Sequence, residues 1–116
     1  MNDARPSQAF DALHPKIQRW VWRQGWKTLR STQERAIPVL LSGHFDVIIA
    51  AATAGGKTEA AFLPILTKLL PEANDAECEG LALYIAPLKA LINDQFQRLE
   101  LMTENLDTPI VPWHGD

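Results

Sequence analysis

Val47-Ile-Ile-Ala-Ala-Ala-Thr-Ala-Gly-Gly-Lys-Thr-Glu-Ala60 runs from an apolar stretch through two glycines into a segment with helical spacing. Val47 to Ala52 shows no polar alternation, the pattern of a parallel strand covered on both faces. A strand, a glycine turn and then Lys57-Thr58 at a helix start is the arrangement that wraps nucleotide phosphates. Backbone N–H groups from Ala54 to Thr58 would surround the phosphates, aided by the positive end of the following helix. Lys57 would sit beside the β- and γ-phosphates, and Thr58 would offer its hydroxyl to Mg²⁺. Gly55 and Gly56 permit a close backbone approach that a side chain would block. The usual pattern also has glycine five residues before Gly56, where this chain has Ala51. An ordinary turn followed by a solvated lysine is the rival reading; the apolar run before and the helix after favour phosphate.

Working outward, His14 to about Gln24 reads as a helix, with Pro15 in its first turn and Gly25 as its stop. Ser31 stands three residues before Glu34, a capping-box spacing that opens a helix through Gln33, Ala36, Ile37, Leu40 and Leu41. Pro38 is expected to bend that helix and Ser42-Gly43 to close it. After the glycine turn, Ala60 to Leu69 is helical again, with Pro64 inside it. Residues 71–79 form an acidic loop. Leu81-Ala-Leu-Tyr-Ile-Ala86 is a second buried strand, and Leu88, Leu91, Ile92, Gln95, Leu99 and Met102 make a stripe at helical spacing after Pro87. Thr108 to Trp113 is a third strand. Strands alternating with helices imply right-handed crossovers and a parallel sheet with helices on both faces, an α/β fold. Residues 1–12 are expected to be flexible and 13–116 to form one incomplete domain, because a three-stranded sheet with bare edges is a poor stopping place.

The chain has 116 residues, 47% hydrophobic and 22% charged, an ordinary globular composition. Its apolar runs are too short to span a bilayer, and its polar start does not resemble a secretory signal. One cysteine, Cys78, excludes an internal disulfide and a multi-cysteine zinc site. A cytoplasmic location is expected. Net charge is -3, unevenly spread: residues 1–45 hold seven Lys or Arg against three acids, and residues 46–116 hold four against eleven. Arg19, Arg23, Lys27, Arg30 and Arg35 are read equally as a basic edge for nucleic acid and as solvated helix faces.

The ordered motifs resemble the first RecA-like lobe of superfamily 2 helicases of the DEAD/DEAH-box type, closest to the large helicase-related and Ski2-like branches. Leu29-Arg-Ser-Thr-Gln33 with Ala36-Ile-Pro38 and Gly43 is similar to the Q-motif region, which would make Gln33 the adenine-reading residue. A glutamine that caps local backbone is the alternative. Trp26 is a loose candidate for an aromatic that stacks on the base, and reads better as an anchor between two helices. Ala52-Thr53-Ala54-Gly55-Gly56-Lys57-Thr58-Glu59-Ala60 resembles motif I, with Ala54 where the family has glycine. If that position takes positive φ, alanine carries about 1 kcal/mol of strain. Pro87-Leu88-Lys89, within Tyr84 to Phe96, resembles motif Ia, a segment that meets the sugar-phosphate backbone.

The resemblance implies a RecA-like P-loop NTPase fold, ATP and Mg²⁺ as cofactors, and ATP hydrolysis coupled to strand separation, with a second RecA-like lobe as partner. DNA is favoured over RNA on branch resemblance, and no membrane is expected. The nucleotide would be held by Gln33, Thr53, Ala54, Gly55, Gly56, Lys57 and Thr58, with Lys57 and Thr58 catalytic and Thr58 on the metal. Pro87, Leu88 and Lys89 would hold the nucleic acid. No Asp-Glu pair stands at a second strand end to complete the metal site, and Asp94 and Glu100 fall on a helix. These residues alone are therefore expected to bind ATP without turning it over. Another P-loop NTPase, or a non-catalytic nucleotide-binding or interaction module, is the alternative.

Overall fold

A computed structural model describes residues 7–51, 56–70, 82–104, 106 and 110–112. It divides the chain into two compact units, Met1–Lys68 and Leu69–Asp116. The elements are α1 (Gln8–Asp11), α2 (Pro15–Arg23), α3 (Ser31–Ser42), α4 (Lys57–Leu69) and α5 (Lys89–Thr103).

Local chemistry accounts for the starts of α1 and α2. Ser7 Oγ accepts from Phe10 N–H at 3.0 Å and caps α1, within the stretch expected to be flexible. His14 Nδ1 accepts from Lys16 N–H at 3.1 Å, with Pro15 at the first helical position of α2. Gly25, at φ 76°, and Gly43, at φ 71°, turn the chain out of α2 and α3 through the left-handed region. Pro38 and Pro64 lie inside α3 and α4 without ending either helix.

Buried apolar residues of this unit come from α1 through α4, among them Ala9, Ile17, Val21, Ile37, Leu63 and Leu66. Helix α1 packs on α3. Gln18 Nε2 donates to the carbonyls of Phe10 and Leu13, both at 3.1 Å, and so fastens α2 to the chain before it. His14 N–H donates to Thr67 Oγ1 at 3.1 Å, tying the start of α2 to the last turn of α4. A Cβ built on Gly43 would lie 2.8 Å from Lys68 Nζ, so the α4 ammonium stands at the carbonyl end of α3, where the helix dipole favours a cation. In the second unit α5 buries Leu99, Met102 and Thr103 near its C-terminus, while Leu88 and Leu91 are exposed. The expected apolar stripe is thus covered only at one end.

The α/β expectation is overturned. Among the described residues there is no strand and no sheet, so neither the parallel sheet with helices on both faces nor the RecA-like first lobe is present. Residues 46–51 and 82–86 have no regular secondary structure. Ile48 is 96% exposed, Leu83 80%, Ile85 82% and Val111 81%. The physical reason is that a helix closes its own hydrogen bonds within four residues, whereas a strand exists only through a neighbour. Apolar β-branched runs state a preference for a covered sheet, and that preference is realised only where cover and partner are both supplied. Of the third expected strand, residues 110–112 are described and have no regular secondary structure; the other three lie outside the described residues.

Burial makes the two architectures separable. Leu63→Ala should cost roughly 2–5 kcal/mol by removing a fully buried side chain. Ile48→Ser should change stability by less than about 0.5 kcal/mol, as befits an exposed site. Urea unfolding of both variants checks this; a cost for Ile48→Ser comparable with Leu63→Ala would mean that residues 46–51 are a buried strand.

Candidate functional site

Gln33 is the residue around which the candidate site is assembled. It is 1% exposed, at the third position of α3. Its Oε1 accepts from Arg30 N–H at 3.0 Å, and its Nε2 donates to the Gly56 carbonyl at 3.5 Å. Arg30, rather than Ser31, therefore occupies the N-cap, and the glutamine carboxamide satisfies one of the orphan donors at the helix start. The capping pattern read at Ser31–Glu34 is displaced by one residue. No sequence signal marks it, because arginine is not a capping residue type.

The same carboxamide meets the glycine turn. Gly56 lies at φ 83°, and a Cβ there would come 2.5 Å from Gln33 Nε2 and 3.5 Å from Arg30 Cδ. Both the backbone angle and the space require glycine at this position. Helix α4 starts at the next residue, and Ala60 N–H donates to the Gly56 carbonyl at 2.8 Å. That carbonyl thus accepts from the helix and from Gln33 together.

Lys57 is exposed, and its Nζ donates back across the turn to the Ala51 carbonyl at 3.3 Å. Thr58 is half-buried and engaged within the chain. Thr53, Ala54 and Gly55 lie outside the described residues, as does any strain at Ala54. Glu59 is buried in the first turn of α4, an acidic neighbour of the turn to which no sequence pattern assigns a role.

These residues fit a phosphate better than an adenine. A 13-residue helix presents its N-terminus directly after a glycine at positive φ, with a lysine ammonium at its first position. The adenine side is different, since both ends of the Gln33 carboxamide are spent on backbone groups. Trp26 is half-buried and packs edge-to-face on Trp20 of α2, ring centroids 5.5 Å apart. Among the described residues no cluster of three or more His, Cys, Asp or Glu side chains could hold a metal. A Mg²⁺ would have to arrive with the phosphates and use the Thr58 hydroxyl.

Pro87, Leu88 and Lys89 belong to the second unit and are all exposed. Leu88 is the N-cap of α5 and provides no side-chain acceptor to its first turn. Asp94 and Glu100 are exposed on α5. Among the described residues no helix is long and apolar enough to cross a membrane.

Removing the clamp should be costly. Gln33→Leu leaves Arg30 N–H without its acceptor at a part-buried position and should destabilise the fold by roughly 0.5–1.5 kcal/mol. Gly56→Ala should cost at least about 1 kcal/mol from the left-handed backbone alone. Thermal unfolding of both variants reads these losses; wild-type stability in Gln33→Leu would show that the carboxamide is not a structural tie.

Residues 30–115 match the DEAD/DEAH box helicase family. The ATP-dependent helicase Lhr-Core of Saccharolobus solfataricus is 38% identical over 94 residues, which is 79% of this chain and 10% of that protein. Lhr-Core of Methanothermobacter thermautotrophicus is 38% identical over 90 residues, 76% of this chain and 10% of its own length. The DEAD-box ATP-dependent RNA helicase CshC of Bacillus cereus is 34% identical over 95 residues, 79% of this chain and 23% of that protein. The chain thus spans about a tenth of the length of the Lhr-Core relatives. No solved structure matches. With the family covering the chain from the helix-capping Arg30 through the Gly56-Lys57 turn and α5, this protein belongs to the DEAD/DEAH box helicases.

Proposed function

We propose that these 116 residues act as a nucleotide-binding module of helicase descent, gripping the phosphate end of ATP without hydrolysing it on their own. The observation that carries the reading is the start of α4. Gly56 turns at positive φ, the helix N-terminus follows at once, and Lys57 Nζ spans the turn to the Ala51 carbonyl. That contact is weak and exposed, so an incoming phosphate can replace a neutral carbonyl with a full negative charge. Charge-assisted bonds to an ammonium are roughly twice as strong as neutral ones. Backbone N–H groups at the helix start add donors that need no side-chain rearrangement. Thr53, Ala54, Gly55, Gly56, Lys57 and Thr58 would hold the phosphates, and Thr58 the Mg²⁺ they carry.

ATP bound there supplies a phosphoryl group whose transfer to water can drive motion. Lys57 would bind and orient the β- and γ-phosphates and offset their charge; Thr58 would position the metal. Glu59, the acid beside this turn, is buried in the first turn of α4, and no Asp-Glu pair at a strand end accompanies it among the described residues. The module therefore holds nucleotide, and hydrolysis coupled to strand separation, as the names of the Lhr-Core and CshC relatives imply, is proposed for the longer protein. DNA is proposed as its nucleic acid ahead of RNA, with Pro87, Leu88 and Lys89 on the phosphate backbone. A further helicase lobe, as closing partner, and a cytoplasmic site of action complete the proposal.

Gln33 enters this function as a positioning residue: its buried carboxamide holds the turn that presents Lys57. The consequence is weak discrimination between bases. Calorimetric titration should give saturable Mg²⁺–ATP binding that Lys57→Ala abolishes, with Mg²⁺–GTP within about fivefold of ATP, roughly 1 kcal/mol. Preference for ATP beyond about a hundredfold, lost in Gln33→Ala, would instead assign Gln33 to the adenine. A folded wild-type chain that binds neither nucleotide overturns the module.

A further inference from the structure

Residues 14–30 hold Lys16, Arg19, Arg23, Lys27 and Arg30, together with three tryptophans, and not one Asp or Glu. On α2 the buried positions are Ile17 and Val21. At 3.6 residues per turn, Lys16, Arg19 and Arg23 fall within an arc of about 60° on the opposite side of the helix. All three are exposed, as are Lys27 and Arg30 further along. The stripe covers about two helical turns, roughly 10 Å. Trp20 and Trp22 flank it, one on each side.

Trp22 is the unusual member. It is 55% exposed, and it packs edge-to-face on Phe10, with ring centroids 6.3 Å apart and planes at 63°. The indole is therefore held in orientation while much of it faces solvent. A solvated helix face needs cations but no exposed, oriented indole beside them.

We propose that the outer face of α2 is a nucleic-acid-binding surface, gripping a single strand by its phosphates through Lys16, Arg19 and Arg23 and stacking a base on Trp22. Charge complementarity selects an anionic polymer, and the oriented indole selects one with exposed aromatic faces. A duplex hides those faces in its stack; a single strand offers them. Arg19 and Arg23 can each take a phosphate through two N–H groups, which fixes the strand without reading its sequence. The surface uses no residue of the nucleotide site and is distinct from Pro87–Lys89, so it goes beyond the nucleotide reading and does not depend on it.

The test is fluorescence anisotropy of a fluorescein-labelled twelve-residue deoxythymidine strand, titrated with the chain at several salt concentrations and without nucleotide. Binding should weaken with salt. Lys16→Gln/Arg19→Gln/Arg23→Gln should flatten the logarithmic salt slope by about 2, near 0.7 for each phosphate of a single strand that is no longer neutralised. Trp22→Ala should weaken binding roughly five- to a hundredfold with the slope unchanged, and Trp22→Phe should restore part of it. Arg19→Gln alone, checked by circular dichroism for wild-type helicity, guards against a misfolded triple variant.

Wild-type affinity and slope in the variants would overturn the proposal, as would no binding at low salt. Equal or tighter binding of polyglutamate or phosphatidylserine vesicles, indifferent to Trp22→Ala, would overturn it in favour of an acidic protein or a membrane surface. Because ATP is absent throughout, a chain that fails to bind nucleotide leaves this outcome untouched.

Discussion

One buried carboxamide joins the two parts of the first unit that carry its chemistry. Gln33 accepts from Arg30 N–H and donates to the Gly56 carbonyl. Through it the start of α3 is fastened to the turn that opens α4, across 23 residues of sequence. The glutamine side chain is 1% exposed while its partners are only part-buried, so the 3.0 Å bond from Arg30 N–H carries more of the tie than the 3.5 Å contact to Gly56. Gly56 is the complement: only a residue without Cβ can come this close to Gln33 Nε2 and also take φ 83°. The direction in which α4 presents its N-terminus, and hence the position of Lys57, follows from this pair.

The rest of the unit is arranged to keep that tie in place. Ile37 and Leu63, both fully buried, set α3 and α4 into the core, and Thr67 receives the backbone of His14. Lys68 stands at the carbonyl end of α3 beside Gly43. The apolar run at 46–51 contributes little to this core, with Ile48 largely bare, and in the second unit Leu83 and Ile85 are likewise exposed. Exposed apolar segments of this kind are unsatisfied as they stand. They account for the gap between a helicase sequence and described residues in which helices are the regular secondary structure.

The functional picture separates along the same line. Features that depend on local backbone, a helix N-terminus after a glycine turn and a lysine at its first position, are in place. Base recognition by Gln33 would depend on a side chain free to leave its backbone partners, and here that side chain is committed. The chain therefore combines a glycine turn with Lys57 at a helix start, an exposed Pro87–Lys89 segment in its second unit, and a basic, tryptophan-bearing face on α2.

Helices were legible because their information is local. Pro15, Gly25, Gly43, the stripe in α5 and the turn before Lys57 each sit within a few residues of the element they define, and helix hydrogen bonds close over the same distance. Family membership was legible too, from the order of the Gln33, Lys57 and Pro87 motifs. The sheet was not, since Val47–Ala52 and Leu81–Ala86 declare only that they would suit a covered strand, and pairing is a property of neighbours. Nor did the sequence disclose that Arg30 would be the cap of α3, or that Gln33 would be spent between its N–H and the Gly56 carbonyl. Sequence alone determined the main helices, though neither α1 nor the cap of α3, and which family the chain belongs to. Tertiary structure alone decided which apolar runs found cover and what the buried glutamine holds, because burial and long-range hydrogen bonds depend on residues far away in the chain.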